Sequence, residues 1–291
     1  MASIRSRRPR LLYVTDLTYE ARGRRYCDED IHLSARLRAE FDVALCHPLD
    51  AAALMDGHDL VIVRNSGPVL HYQEAYDAFR ARALRDGVRV YNELTGRGDM
   101  AGKGYLLDLT AAGLPVIPTV DRRADLGRLP ETGSYVVKPK LGADSIGLRF
   151  VDRQELADLD FGEGGGLLAQ PRIDFRYEVS FYFVDDAFQY ALYAPDPERR
   201  WELEPYAPTA ADLDFARRFV AWNTLEYGIQ RVDACRAPDG TLLLVELEDL
   251  NPYLSLDLVG EDVRRAFARD LSASLTKLLH RASFTQSHSI G

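Results

Sequence analysis

Nowhere does the chain run through the ~18 consecutive apolar residues that a membrane-spanning helix needs, although 46% of its 291 residues are hydrophobic, enough to build a substantial core. The basic residues Arg5, Arg7, Arg8 and Arg10 give way to Asp16 and Glu20 without the apolar block of a secretory leader. No signal peptide is therefore expected, and the arginines read as a solvated tail. An excess of basic charge is also missing. The formal net charge is −9, which disfavours nucleic acid as a partner, because phosphates must be met by a basic face. Cysteine is scarce, and Cys27, Cys46 and Cys235 form no CxxC pair. That argues against a zinc cluster or a disulfide framework and fits the reducing cytoplasm. His32, His47, His58, His71, His280 and His288 lack metal-ligand spacing, and no Ser-His-Asp arrangement is evident. The GxxxxGK[ST] phosphate loop is absent. So is GxGxxG after the first apolar run, where Val14 is followed by Thr15-Asp16-Leu17-Thr18, which disfavours a dinucleotide oxidoreductase. No internal repeat is visible.

The length suggests about two domains at ~150 residues each. In the first hundred residues, Leu11–Val14, Leu60–Val63 and Val88–Tyr91 are strand-like. They alternate with helical spacing at Leu33, Leu37 and Phe41 and over Glu74–Arg85. This alternation predicts a parallel sheet with covered faces, whose ligands sit beyond the carboxyl ends of the strands. Asp16, Arg64, Asn65 and Asn92 fall at such ends. A change of texture near residue 100 marks a soft boundary. Beyond it, Leu106 to Gly113 reads as a helix, and Tyr135–Lys138 with Leu148–Val151 as a hairpin. Glu178–Val184 and Phe188–Tyr193 are strands turned at Asp185-Asp186, and Asp212–Tyr227 is a helix. Val232–Glu248 forms a hairpin turned at Pro238-Asp239-Gly240, and Val263, Phe267, Leu271 and Leu275 give a terminal helix one apolar stripe.

Three segments carry chemistry. Lys138 closes a strand and is followed by a loop with Gly142, Ser145 and Gly147, in which backbone amides can approach phosphate oxygens beside a lysine charge. An ordinary hairpin with a surface lysine is the plain alternative. Glu246 and Glu248 leave the same face of an apolar strand, with Asp233 on the partner strand and Asn251 just beyond. Clustered carboxylates repel, and a divalent cation relieves that cost; Mg²⁺ prefers oxygen ligands of this kind. A solvated acidic edge is the alternative here. Third, Leu167 to Ile173 followed by Tyr177 to Phe181 reads as a strand, a bend and a strand, which places Gln170 to meet a base edge and Glu178 to meet ribose hydroxyls.

These pieces, in this order from about Asn92 to Asp257, resemble an ATP-grasp ligase, the superfamily of D-alanine–D-alanine ligase and glutathione synthetase. The matching stretches are Gly102-Lys103 with Ala112 to Thr119, Lys138 to Gly147, Gln170 to Phe181, and Arg231-Val232-Asp233 with Glu246-Leu247-Glu248. The resemblance implies an α/β (α+β) ATP-grasp fold behind an N-terminal Rossmann-like preATP-grasp domain. Residues 1–100 would form that substrate domain, 101–190 the central subdomain with the phosphate loop, and 191–291 the C-terminal subdomain with the metal site. It implies that Lys103 and Lys138 hold ATP, that Gly142, Ser145 and Gly147 belong to a mobile phosphate loop, that Gln170 and Ile173 line the adenine slot, and that Glu178 binds ribose. Asp233, Glu246 and Glu248 would hold two Mg²⁺ ions, and Arg231 would act with Lys138 on the transferring phosphoryl group. Many relatives read Glu-x-Asn where this chain reads Glu246-Leu247-Glu248, so either Glu248 or Asn251 completes the metal set; the shared face favours Glu248. Lys140 is an extra basic residue without an assigned role.

The implied reaction activates a carboxylate as an acylphosphate, which an amine then converts to an amide. Asp16, Arg64, Asn65, Ser66 and Tyr253 are the candidate substrate contacts, and the short Asn65-Ser66-Gly67-Pro68 turn favours a small amino-acid-like substrate over a protein. The chain is also similar to small ligases of antibiotic pathways, a group that includes the ring-closing conversion of O-ureido-D-serine to D-cycloserine. Formation of a dipeptide and a non-catalytic nucleotide-binding module are the alternatives. The resemblance implies a homodimer in the cytoplasm.

Overall fold

The computed structural model describes residues 7–21, 24–64, 69–141, 147–162, 165–199 and 201–281. Leu60-Val61-Ile62-Val63 has no polar face, so it must be covered on both sides. It lies in a four-stranded parallel sheet in the order Asp42–Cys46, Arg10–Val14, Leu60–Val63, Val90–Tyr91. Leu11, Tyr13, Leu60 and Ile62 face a core with Leu33, Leu37 and Phe41. The alternate residues Leu12, Val14, Val61 and Val63 face Tyr76 and Phe79. The helix Cys27–Leu37 stops before Phe41, which reaches the same core from the turn that follows. The helix Gln73–Asp86 ends at Gly87, whose φ of 68° suits the left-handed cap position that a side chain would strain.

A three-stranded antiparallel sheet follows, in the order Arg149–Val151, Tyr135–Pro139, Leu167–Pro171. The largest sheet has five antiparallel strands, in the order Glu204–Tyr206, Ala187–Ala194, Tyr177–Val184, Ile229–Arg236, Leu242–Glu248. The same sheet therefore carries Glu178, Arg231, Asp233, Glu246 and Glu248. Its register pairs Asp233 with Glu246 and Arg231 with Glu248.

The helix expected over residues 212–227 spans Ala210–Asn223, opened by a capping box between Thr209 and Asp212. It stops early because Thr224 turns left-handed, at φ 58°, and sends the chain into the Ile229 strand. The helix Glu261–His280 packs Phe267, Leu271 and Leu275 into the core shared by Tyr13 of the parallel sheet and Tyr182 and Tyr190 of the five-stranded one. Among the described residues, no helix is long and apolar enough to cross a membrane.

Asn92 was expected to meet a ligand beyond a strand end. It is buried instead, and joins two sheets. Its side-chain amide donates to the carbonyls of Ile229, at 2.7 Å, and Asp249, and it accepts from the Ile229 amide at 2.8 Å. Asp249 extends the joint by accepting from the amides of Gly98 and Met100 at 2.9 and 2.7 Å. These bonds hold residues 96–103 against the end of the Leu242–Glu248 strand.

Candidate active site

A cavity of about 780 Å³ is lined by Glu29 of the helix Cys27–Leu37 and Arg64 just past the strand Leu60–Val63, by Lys138 and Gln170 from the three-stranded sheet, and by Glu178, Asp233, Glu246 and Glu248 from the five-stranded one. Lys103 enters it from the start of the helix Tyr105–Ala111. Although only 4% exposed, Lys103 sets its ammonium 2.8 Å from Glu246 and 3.1 Å from Asp99. Lys138 approaches the same Glu246 oxygen at 3.9 Å. Burial alone would raise the Glu246 carboxyl, but the two ammonium groups outweigh it and hold Glu246 down at about 2. Burial pushes Asp99 up to about 6, with Lys103 pulling the other way.

Arg231 organises the neighbouring acids. Its Nε and Nη2 donate to both oxygens of Asp233 at 2.8–3.1 Å, Nη2 also reaches Glu248 at 2.6 Å, and Nη1 donates to the Tyr253 carbonyl at 2.9 Å. Burial drives the Glu248 carboxyl upward; Arg231 opposes this, while Asp233, Asp99 and Glu246 add to it. The chemistry suits a divalent cation. One oxygen from each of Asp99, Glu246 and Glu248 lies within 4.8 Å of the others, and Asp99 Oδ1 is buried without a hydrogen-bond partner. An orphaned acceptor of that kind is costly unless something electropositive meets it. Asp99 was missed in the sequence, where its one signal is the four-residue spacing to Lys103.

No family model matches the chain. Over 213 residues, covering 60% of this chain and 69% of the relative, it is 29% identical to the cycloserine biosynthesis protein DcsG of Streptomyces lavendulae. The crystal structure of D-cycloserine synthetase DcsG superposes with a TM-score of 0.70 at 23% identity, over 91% of this chain and 99% of that one. D-alanine–D-alanine ligase of Bacillus anthracis, complexed with ATP, gives 0.64 at 14% identity, over 93% and 97%. The ATP-grasp ligase PsnB, complexed with a precursor variant, Mg and ADP, gives 0.62 at 17%, over 91% and 97%. The fold is the ATP-grasp fold.

Within this ATP-grasp cleft, Ile173 and Glu178 line the cavity, and Gln170 does so with its amide tied to the Thr119 hydroxyl at 2.8 Å. Gly147 returns the chain at φ 76° against Pro139, where a Cβ would sit 2.9 Å from the ring. Gly142, Ser145, Asn65 and Ser66 lie outside the described residues. Asn251 lines the cavity beyond Glu248.

The candidate substrate contacts separate. Arg64 and Tyr253 line the cavity, and Tyr253 stacks on Tyr26 with ring centroids 4.5 Å apart. Arg64 is 3% exposed and held by Glu29 at 2.8 Å and Asp30 at 3.0 Å. Asp30 also accepts from Tyr13 and Thr15, both at 2.7 Å, and Glu29 accepts from the Leu254 amide at 3.0 Å. Asp16 is not among the described residues that line the cavity. It folds onto its own turn, accepting from the Thr18 amide and hydroxyl at 2.8 and 2.9 Å, with His47 3.7 Å from its other oxygen. His71 packs edge-on against Tyr19.

Proposed function

We propose that this protein is an ATP-dependent ligase that activates the carboxylate of a small amino-acid-like substrate as an acylphosphate and closes a carbon–nitrogen bond within the same molecule, as in the formation of D-cycloserine from O-ureido-D-serine. The observation that carries the reading is the meeting of Lys103, Lys138 and Arg231 with Asp99, Asp233, Glu246 and Glu248 in one cleft of an ATP-grasp fold. Similarity to DcsG favours ring closure over the joining of two amino acids.

In this reading ATP lies along the cavity, with its base beside Gln170 and Ile173, its ribose near Glu178, and its phosphates between Lys103 and Lys138. Two Mg²⁺ ions would be held by Glu246 and Glu248, with Asp233 and Asp99 completing the oxygen set. Bound there, Mg²⁺ would supply charge neutralisation for the phosphates. The chain's own residues do the rest. Lys138 and Arg231 bring the substrate carboxylate and the γ-phosphate together, two anions that repel in water, and fixed cations in a partly dry cleft act more strongly than solvated ones. Arg64 and Tyr253, which line the cavity, would lie on the substrate side. The absence of a CxxC pair and the burial of all three thiols agree with a cytoplasmic setting.

The test is ADP release in the presence of O-ureido-D-serine and of a panel of single and paired amino acids, with product mass read in parallel. Substrate-dependent ADP release with one cyclic product supports the proposal. A product joining two amino acids supports the dipeptide alternative, and no turnover with any carboxylate removes the ligase reading.

A further inference from the structure

We infer that Lys140 is a positioning residue for nucleotide binding, acting through Lys103 by way of an ion pair with Asp121; this rests on the nucleotide site proposed above. Lys138 and Lys140 are two residues apart, yet their ammonium groups part company. Lys138 approaches Glu246, whereas Lys140 Nζ donates to Asp121 Oδ2 at 2.8 Å. Both members of that pair are mostly buried, with side chains 22% and 17% exposed. The pair fixes the chain at a junction of three segments. The Lys140 carbonyl accepts from the Lys103 amide at 2.9 Å, and the Lys140 amide donates to the Gly166 carbonyl at 3.0 Å. Val120, the neighbour of Asp121, exchanges two backbone bonds with Ala169 at 2.8 and 3.0 Å, so Asp121 is itself anchored to the three-stranded sheet. Gly165 closes the junction. A Cβ there would fall 2.9 Å from Asp121 Oδ2 and 3.1 Å from Lys140 Nζ, so a side chain at that position would crowd the pair.

The consequence is mechanical. The two lysines that flank the proposed phosphate position sit on different elements, Lys138 on the Tyr135–Pro139 strand and Lys103 before the Tyr105–Ala111 helix. Their separation is set where the Lys103 amide meets the Lys140 carbonyl, and the Lys140–Asp121 pair keeps that carbonyl in place. Losing the pair lets Lys103 drift from the geometry that nucleotide binding needs, and small misplacements of positioning groups carry large costs.

The experiment is calorimetric titration of ADP with saturating Mg²⁺ into the full chain, with thermal unfolding followed in parallel. Wild type that binds no nucleotide would remove the ligase reading, and this inference with it. If wild type binds, Lys140→Met and Asp121→Asn are each expected to weaken ADP by about 10-fold, the double variant to be no weaker than either alone, and Lys140→Arg to stay within about threefold of wild type. Loss of affinity in Lys140→Met with none in Asp121→Asn would overturn the inference, because Lys140 would then touch the phosphates directly. Additive losses in the double variant, or wild-type affinity throughout, would overturn it too.

Discussion

Arg64 and Lys103 are each a buried cation set between two carboxylates, and both line the same cavity, but their surroundings differ. The partners of Arg64 are themselves enclosed: Asp30 is tied to Tyr13 and Thr15, and Glu29 to the Leu254 amide. That cluster joins the parallel sheet to the segment after the Leu242–Glu248 strand. The partners of Lys103 are open by comparison. Glu246 is 26% exposed, and Asp99 has an oxygen with no partner. The same residue types therefore serve two purposes. Where every oxygen is satisfied inside the protein, the cluster holds sheets together. Where the acids face the cavity and one acceptor is left over, the cluster has room to meet an added cation.

Substitutions can break this contrast. Arg64→Met leaves Glu29 and Asp30 buried without their counter-charge and is expected to cost about 3–5 kcal/mol of stability in denaturant unfolding. Should it fold as stably as wild type while losing only turnover, Arg64 belongs with the reacting groups and the contrast fails. Glu246→Gln is expected to do the reverse, lowering kcat/KM by about 10²–10³, or ~3–4 kcal/mol, with the melting temperature held. A large fall in melting temperature would place Glu246 with the structural cluster.

Glu29 sharpens the comparison through pH. Burial pushes its carboxyl up to about 8, against the pull of Arg64. The ordinary value in the unfolded chain is about 4.3. A raised carboxyl means that the folded state holds a proton that the unfolded state releases. Its stabilising contribution is complete below the unfolded value and is lost as pH rises through about 8. Wild type should therefore lose stability relative to Glu29→Gln across that window, by less than about 1.4 kcal/mol per pH unit. Parallel stability curves for the two proteins would contradict this. The smallest effect is a control outside both clusters. Thr209→Ala removes the hydroxyl that accepts from the Asp212 amide at the head of the helix Ala210–Asn223, and should cost about 1 kcal/mol of stability with turnover unchanged.

What the sequence discloses follows physical range. Leu60–Val63 declares a doubly covered strand by composition, and Pro238-Asp239-Gly240 declares its turn because Gly240 must take φ 90°. Glu246 and Glu248 share a face by strand alternation alone, and their register against Asp233 and Arg231 follows from the hairpin. The pairing of Arg64 with Glu29 crosses 35 residues, and that of Asn92 with Asp249 crosses 157. Neither leaves a local pattern, so nothing in the sequence shows that Arg64 and Asn92 have partners within the protein. Asp42–Cys46 is a half-exposed edge strand with weak alternation, and it escaped notice for that reason. Lys140 had no local partner to explain it, because Asp121 lies 19 residues earlier.

The most direct test is a crystal structure with a non-hydrolysable ATP analogue and Mg²⁺. The account predicts the triphosphate between Lys103, Lys138 and Arg231, with metal on Glu246 and Glu248 and Arg64 still bound to Glu29 and Asp30. Nucleotide lodged elsewhere, or phosphates out of reach of Lys103 and Lys138, would contradict it.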